Sequence, residues 1–544
     1  MQVFWSEELG YRALDQWTRE LPIVAKRGKI TDRNGVVLAD NSDAYTVYAR
    51  SNAVKNKEAT ARLLAQALGQ DSQALYEKLT KKKASEVTIA RKVDKSVVEK
   101  ITVLGLDGVY YSRDNNRYYP KGDTLCQVVG FTSTDNVGTT GVERYYEKYL
   151  AGKNGELLYE TDLVGIEIGG SVAAYLPATN GYNVELTIDY GIQELVESAL
   201  EKTAAQYTPS AASCIVLDVN NFEVLALANY PSYNLNEVPR NDAELLNKLT
   251  RNGLVCDIYE PGSTFKIVTA AINIEEHLKG NPKAYSTNYV FSSARTRFVE
   301  GTTVKCWSNH ANGRHSNQTL AEALNNSCNP CFTDMALSIG KDKFYEYLSA
   351  FGFGARTGID YGGEAYGLLM PQSAVRNCDL ARIGFGQTIA VSGIQLTCAT
   401  ASAVNGGYYY TPHLVKRIYA DDGYVLKEVD KEVKTRTVSE QTSKTLARML
   451  EGVVKEGSGK KAYIDGYRIA GKTGTAQKYE NGRIAAGKYV SSFVGFFPAD
   501  NPKYLALVIV DEPQGAYYGS VVAAPCAKDI FEGIISLKDI KPVV

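Results

Sequence analysis

Beyond residue 181, apolar positions come in short dense runs; before it they are thinner and interleaved with tyrosine and charge. Val184-Glu185-Leu186-Thr187-Ile188 alternates with the period of a half-buried strand. Cys214-Ile215-Val216-Leu217-Asp218-Val219 and Val224-Leu225-Ala226-Leu227-Ala228 are continuous runs joined across Asn220-Asn221, which predicts a buried hairpin. Ser491 to Phe497 and Tyr504 to Val510 predict two further strands. Gln193 to Thr203, Leu320 to Leu324, Phe332 to Ile339, Ser439 to Lys455 and Lys528 to Ile535 carry helical periodicity instead. This order predicts an α+β fold in which helices pack on an antiparallel sheet.

The N-terminal part reads differently. A helix is expected over Glu7 to Glu20, and Asn34-Gly35 between apolar alternations predicts a hairpin. Residues 56 to 103 read as mostly helical, with Leu63, Leu64, Ala67 and Leu68 on one face. Strand and turn character returns from Asp107 to Gly130, and Gly138 to Glu143 leads into a short helix ending near Leu150. The Gly-, Ala-, Pro- and Asn-rich stretch from Gly169 to Gly181 reads as a boundary. We therefore expect one domain over residues 1–180 and a second over residues 181–544.

Charge alters this picture little. The net charge of −1 gives no electrostatic case for nucleic acid, so none is expected as a partner. The longest apolar runs, such as Tyr504 to Val510, are strand-length and fall short of the ~20 residues a membrane-spanning helix requires. Cysteine alters it more. Nine cysteines are too sparse for a disulfide scaffold. Yet Cys256, Cys306, Cys328 and Cys331 fall in one window, together with His310 and His315.

That window contains Glu260-Pro261-Gly262-Ser263-Thr264-Phe265-Lys266. Pro261 and Gly262 break what precedes them, and Ile267, Val268, Ala270, Ala271 and Ile272 continue as a helix. A spacing of three puts Ser263 and Lys266 on one face at the helix start. A serine hydroxyl needs a base beside it to act as a nucleophile. A lysine serves as that base only when burial or nearby positive charge lowers its pKa. The positive end of a helix also favours an oxyanion. By itself the pair is more often a helix cap followed by a surface lysine. A second copy, Ser458-Gly459-Lys460-Lys461, reads as a solvated loop.

Two further elements follow in order, Ser327-Cys328-Asn329 and Lys472-Thr473-Gly474. The trio resembles the penicillin-binding proteins and serine β-lactamases. Its flanks, Tyr259 to Lys266, Asn326 to Pro330 and Ala470 to Gln477, look like the class B high-molecular-weight penicillin-binding proteins. These are monofunctional peptidoglycan transpeptidases of division, elongation or sporulation. Arg27-Gly28, Asp32-Arg33-Asn34-Gly35, Arg117-Tyr118-Tyr119-Pro120 and Gly141-Val142-Glu143 resemble that family's pedestal motifs, so the likeness covers nearly the whole chain.

The resemblance implies the penicillin-binding/transpeptidase fold preceded by an extended pedestal or dimerisation domain. It implies that Ser263 attacks the D-Ala–D-Ala carbonyl of a peptidoglycan stem peptide while Lys266 takes its proton. Ser327 would relay a proton to the leaving D-Ala, and Asn329 would hold the substrate amide. Lys472 would depress the pKa of Lys266 and, with Thr473 and Thr475, draw in the substrate carboxylate; Gly474 completes that motif. The Lys472 strand would be a sheet edge that pairs with extended peptide. Backbone N–H groups of Ser263 and Thr475 would form the oxyanion hole. β-Lactam antibiotics would acylate Ser263, and the chemistry would need no cofactor. A membrane glycan polymerase and divisome proteins are implied as partners. The family also carries an N-terminal membrane anchor, which this sequence lacks, so we expect a truncated form of a protein on the outer face of the plasma membrane. A D,D-carboxypeptidase or β-lactamase on the same fold, and a non-catalytic β-lactam sensor or scaffold, are the competing functions. The large pedestal argues against the first pair, and the intact Ser263, Lys266, Ser327, Asn329 and Lys472 set argues against the last.

Cys306-Trp307, His310, His315, Cys328 and Cys331 concentrate zinc-type ligands beside these motifs. Ser327 and Asn329 must face substrate, so Cys328 is expected to point behind the site. The expected set for a structural zinc is Asp257, Cys306, His315 and Cys328, with His310 and Cys331 as substitutes, bracing the Ser327 loop against the Ser263 helix. Small buried cysteines without metal, or a disulfide between two of them, are the alternatives.

Overall fold

The computed structural model describes residues 18–81, 86–161, 167–292, 294–308, 315–480 and 483–542. Its centre is a five-stranded antiparallel sheet in the order Val224–Tyr230, Ala211–Asp218, Tyr504–Asp511, Arg483–Phe497, Ala470–Glu480. Both faces are covered, which is why the middle strands read as unbroken apolar runs. Ile215, Leu217, Leu505 and Leu507 join one core; Cys214, Val216, Ala506 and Val508 join the other. Helices Tyr190–Tyr207 and Ala523–Leu537 cover the second face. Lys266–Leu278 and Gly393–Val404 cover the first. Ala470–Glu480, the strand of Lys472, is an outer strand as expected.

The caps follow the sequence. Asp189 and Ser439 accept backbone N–H groups at the starts of Tyr190–Tyr207 and Glu440–Lys455. Thr319 and Glu322 form a reciprocal capping box on Leu320–Asn325, the short helix that delivers Ser327.

The N-terminal part departs from expectation in three places. The helix expected over Glu7 to Glu20 lies outside the described residues as far as position 17, and Thr18–Ile23 is a strand. Val87–Val93, inside the stretch read as helical, is a strand paired with Val37–Ala49. The supposed break at Gly169 to Gly181 is largely the strand Glu167–Leu176, paired with Gly155–Thr161, which in turn pairs with Thr18–Ile23. Helix Lys57–Leu68 buries Ala61, Leu64 and Ala65 in a small separate core with Leu75, Leu79, Ile89 and Ile101.

A seven-stranded mixed sheet joins the two parts. Its order is Val425–Glu428, Val415–Tyr419, Asn183–Leu186, Ile30–Thr31, Val37–Ala49, Val87–Val93, with Val109–Tyr118 also paired to Val37–Ala49. Asn183–Leu186 lies parallel to Ile30–Thr31 and antiparallel to Val415–Tyr419.

The pedestal motifs meet at one buried carboxylate. Arg27 Nε donates to Glu143 Oε2 at 2.6 Å and Arg117 Nε donates to Oε1 at 2.7 Å. Arg27 Nη2 also donates to the Glu143 carbonyl at 2.8 Å. Glu143 is fully buried, and both arginines are nearly so. Removing one partner of a buried ion pair leaves the other charge uncompensated. Glu143→Gln is therefore expected to cost about 3 kcal/mol in urea unfolding of the pedestal; an unchanged midpoint would show that the network carries no stability.

Candidate active site

Ser263 and Lys266 are aligned by a tighter turn than expected. Gly262–Phe265 is a 3₁₀ turn, and the α-helix Lys266–Leu278 begins only after it. In a 3₁₀ turn, positions three apart eclipse one another, which stacks the two side chains more directly than an α-helix would. Gly262 starts the turn at φ +55° and donates its N–H to the Gly386 carbonyl at 2.9 Å. Thr264 Oγ1 closes it by donating to the Pro261 carbonyl at 2.7 Å. Phe265 is buried against Phe353. The helix that follows is buried on all sides through Glu276.

Two lysine amines converge on one serine. Lys266 Nζ lies 3.1 Å from Ser263 Oγ and 3.1 Å from Ser327 Oγ. Lys472 Nζ lies 3.0 Å from the same Ser327 Oγ. Lys266 Nζ also donates to the Ser327 carbonyl at 2.8 Å and to Asn329 Oδ1 at 2.7 Å. A neutral amine has two N–H groups and one lone pair. With those two acceptors satisfied, the lone pair is left for the Ser263 proton. Both lysines are fully buried. Burial pushes Lys266 down to about 8. Burial, with the Lys266 charge beside it, pushes Lys472 well below its ordinary value. Of the two causes expected to lower Lys266, burial is the principal one, and the repulsion between the lysines falls on Lys472.

Ser327 itself sits in the left-handed region at φ +54°. Such a conformation in a non-glycine residue stores strain of the kind found at functional sites. Asn329 was expected to hold the substrate amide. Here its Oδ1 is engaged by Lys266 and its Nδ2 donates to the Lys305 carbonyl at 2.9 Å, so the side chain orients the lysine.

The Lys-Thr-Gly strand lies directly on the turn that carries Ser263. A Cβ on Gly474 would stand 2.4 Å from Ser492 Oγ and 3.0 Å from Thr264 Cγ2, so only glycine allows this approach. The Gly262 turn packs on the Thr475 backbone, bringing the two segments expected to supply the oxyanion donors face to face. Thr475 Oγ1 accepts from the Gly519 N–H at 2.9 Å. Ser458, read from sequence as part of a solvated loop, has its Oγ 3.2 Å from Thr473 Oγ1. The one hint was a serine held between two glycines shortly before Lys-Thr-Gly.

Behind the site, Cys306, His315 and Cys328 come together, with their ligand atoms within 4.8 Å of one another and all three buried. Cys306 Sγ lies 3.5 Å from His315 Nδ1. Cys331 is buried nearby, 3.9 Å from Gln318 Nε2, whose amide also donates to the His315 carbonyl. No cysteine is in a disulfide. Asp257 is not part of this cluster. It follows helix Gly253–Cys256, is half-exposed and pairs with Arg251 at 2.5 Å. Sequence proximity to Ser263 was misleading because the chain turns at Pro261 and carries Asp257 elsewhere. His310 lies outside the described residues.

Residues 212–532 match the family model of the penicillin binding protein transpeptidase domain, and residues 22–186 match the penicillin-binding protein dimerisation domain. This chain belongs to the class B penicillin-binding proteins. Stage V sporulation protein D of Bacillus subtilis is 37% identical over 548 residues, spanning all of this chain and 83% of the relative. Peptidoglycan D,D-transpeptidase FtsI of Escherichia coli K12 is 30% identical, over 96% of this chain and 85% of its own. A peptidoglycan synthetase from Bifidobacterium adolescentis superposes with a TM-score of 0.77 at 27% identity, covering 97% of this chain and 98% of that one. Penicillin binding protein 3 from Mycobacterium tuberculosis, complexed with aztreonam, gives 0.73 at 26% identity, covering 96% and 98%. The transpeptidase fold and preceding dimerisation domain expected from the motifs are thus both present.

Were Lys266 the base for Ser263, 3.1 Å away, reaction would require its amine to be neutral. Penicillin labelling should accelerate as pH rises toward about 8 and level off above it. Lys266→Arg, whose guanidinium stays charged, should slow labelling by about a thousandfold at any pH. A rate flat on both sides of the Lys266 pKa would remove it as the base.

Proposed function

We propose that this chain is a peptidoglycan D,D-transpeptidase that works through an acyl-serine at Ser263. One observation carries the reading: Ser327 Oγ bridges two fully buried lysines, one of which also touches the Ser263 hydroxyl. Lys266 accepts the Ser263 proton as Oγ attacks the carbonyl of the penultimate D-Ala. Backbone N–H groups of Ser263 and Thr475 receive the oxyanion. The C–N bond to the terminal D-Ala breaks, and the proton passes from Lys266 through Ser327 to the leaving amine. An amine of a second stem peptide then attacks the ester. Ser263 leaves and regains its proton, and a cross-link has formed. A β-lactam follows the first half of this path and stays attached.

The carboxylate of the donor peptide sits against Thr473 and Thr475, with the charge shared by Lys266 and Lys472 behind it. The outer strand Ala470–Glu480 supplies an edge for the extended peptide. The sporulation name of one relative favours that process. A membrane glycan polymerase and divisome proteins are the proposed partners. The outer face of the plasma membrane is the proposed location; among the described residues no helix is long and apolar enough to cross a membrane. We divide the chain near residue 180, with residues 1–180 as the pedestal. Intact-protein mass after incubation with a penicillin should rise by one drug mass, and Ser263→Ala should show no rise. Hydrolysed drug without an adduct would favour a β-lactamase instead.

The same reading includes a structural zinc at Cys306, His315 and Cys328, with Cys331 as the fourth donor. Buried thiols and an imidazole this close suit zinc. Bound there, the metal would tie the residue between Ser327 and Asn329 to the segment around Cys306. Protein purified without added metal should hold about one zinc per chain, and Cys306→Ser less than about half of that. Asp257→Asn should hold as much as the parent. Less than about a tenth of an equivalent in the parent would end the idea.

A further inference from the structure

The second Ser-x-x-Lys, Ser458-Gly459-Lys460-Lys461, is not a second nucleophile. Lys461 is exposed, unlike the fully buried Lys266. Ser458 nevertheless stands inside the active-site architecture. Its loop follows helix Glu440–Lys455 and is fixed at both ends. Gly457 and Gly459 each donate their N–H to the Val453 carbonyl, at 3.1 and 3.0 Å. The Ser458 N–H donates to the Asn325 carbonyl at 3.0 Å, on the helix that leads into Ser327. A Cβ on Gly457 would lie 2.8 Å from Asn325 Cα, so the loop backbone presses directly on that helix. The result is one side chain, Ser458, presented to the Lys-Thr-Gly strand, with its Oγ 3.2 Å from Thr473 Oγ1.

We infer that Ser458 is a positioning residue for the substrate carboxylate, acting through the Thr473 hydroxyl. Two hydroxyls in contact have two proton orders. In one, Thr473 donates to Ser458. In the other, Ser458 donates to Thr473, and the Thr473 O–H is left to donate to an anion. A carboxylate arriving at Thr473 selects the second order. Each hydroxyl in that chain polarises the next, so the bond to the carboxylate is strengthened and its direction fixed. Because Ser458 is tied to Asn325 while Thr473 follows Lys472, the serine also sets the strand at a fixed distance from the helix that delivers Ser327. Carboxylate recognition and the lysine–serine–lysine contact are thereby held in one register.

This inference rests on the acyl-serine reading above, and the experiment separates the two. The parent, Ser458→Ala and Ser458→Thr are acylated with a penicillin and with the same penicillin as its methyl ester, which has no carboxylate. Ser458→Ala should lower the second-order acylation constant for the penicillin about tenfold, through weaker binding rather than a slower acylation step. The constant for the ester should change by less than about twofold, and Ser458→Thr should restore penicillin acylation to within about threefold of the parent. Equal losses with both compounds would mean a merely structural serine, and no loss with the penicillin would mean no role; either overturns the inference while the parent still labels at Ser263. A parent that labels with neither compound overturns the acyl-serine reading, and this inference with it. Should Ser458→Ala fail to fold, Ser458→Cys keeps the volume but donates weakly, and must show the same loss confined to the carboxylate compound.

Discussion

Two lysine side chains are buried around one serine hydroxyl, and the rest of the catalytic half is arranged to make that tolerable. An ammonium group taken out of water is costly unless hydrogen bonds replace its hydration or it gives up its proton. Among the described residues, the hydrogen-bond partners of Lys266 and Lys472 are all neutral: carbonyls, an amide and hydroxyls. A carboxylate among them would hold the proton on and remove the base. The neutral surroundings thus keep the pair short of full charge while leaving it able to meet an incoming anion. Ser327 Oγ stands between the amines, within hydrogen-bond reach of both.

This arrangement needs three distant segments brought to atomic contact. The turn that carries Ser263 rests on a helix buried on every side, so its position is set by the core rather than by solvent-facing loops. Ser327 comes from a short capped helix in a strained backbone conformation. The Lys472 strand is fixed by the five-stranded sheet. A core residue at any of these three places therefore acts on chemistry through distance alone, and buried cysteines and a histidine lie behind the least regular of the three.

What the sequence made legible and what it hid divide along physical lines. That Ser263, Lys266, Ser327, Asn329 and Lys472 come together could be read because Ser-x-x-Lys, Ser-x-Asn and Lys-Thr-Gly follow one another in a recognisable order. The hairpin Ala211–Asp218 with Val224–Tyr230 could be read because a doubly covered strand is apolar at every position. Val87–Val93 could not: its short alternation lies between two helices, and its strand character comes from pairing with distant Val37–Ala49. Glycine and alanine between 169 and 176 imitate a linker, yet the backbone there completes a three-stranded sheet. Asp257 was misjudged because closeness in sequence says nothing once the chain turns. Ser458 was misjudged because flanking lysines suggested solvent, whereas the glycines beside it allow the backbone to press inward.

The seven-stranded sheet has a consequence for how the molecule is made. Asn183–Leu186, just beyond the pedestal, pairs with Ile30–Thr31 on one side and with Val415–Tyr419 on the other. The last of these segments leaves a ribosome or a translocation channel long after the first. Until it arrives, one edge of Asn183–Leu186 has no partner, and pairing of this sequence separation is slow to form. Exposed strand edges are where chains join wrongly with one another. The pedestal is therefore not finished when its own residues have emerged: its sheet is closed by a segment of the catalytic half, so the two halves reach their final form together.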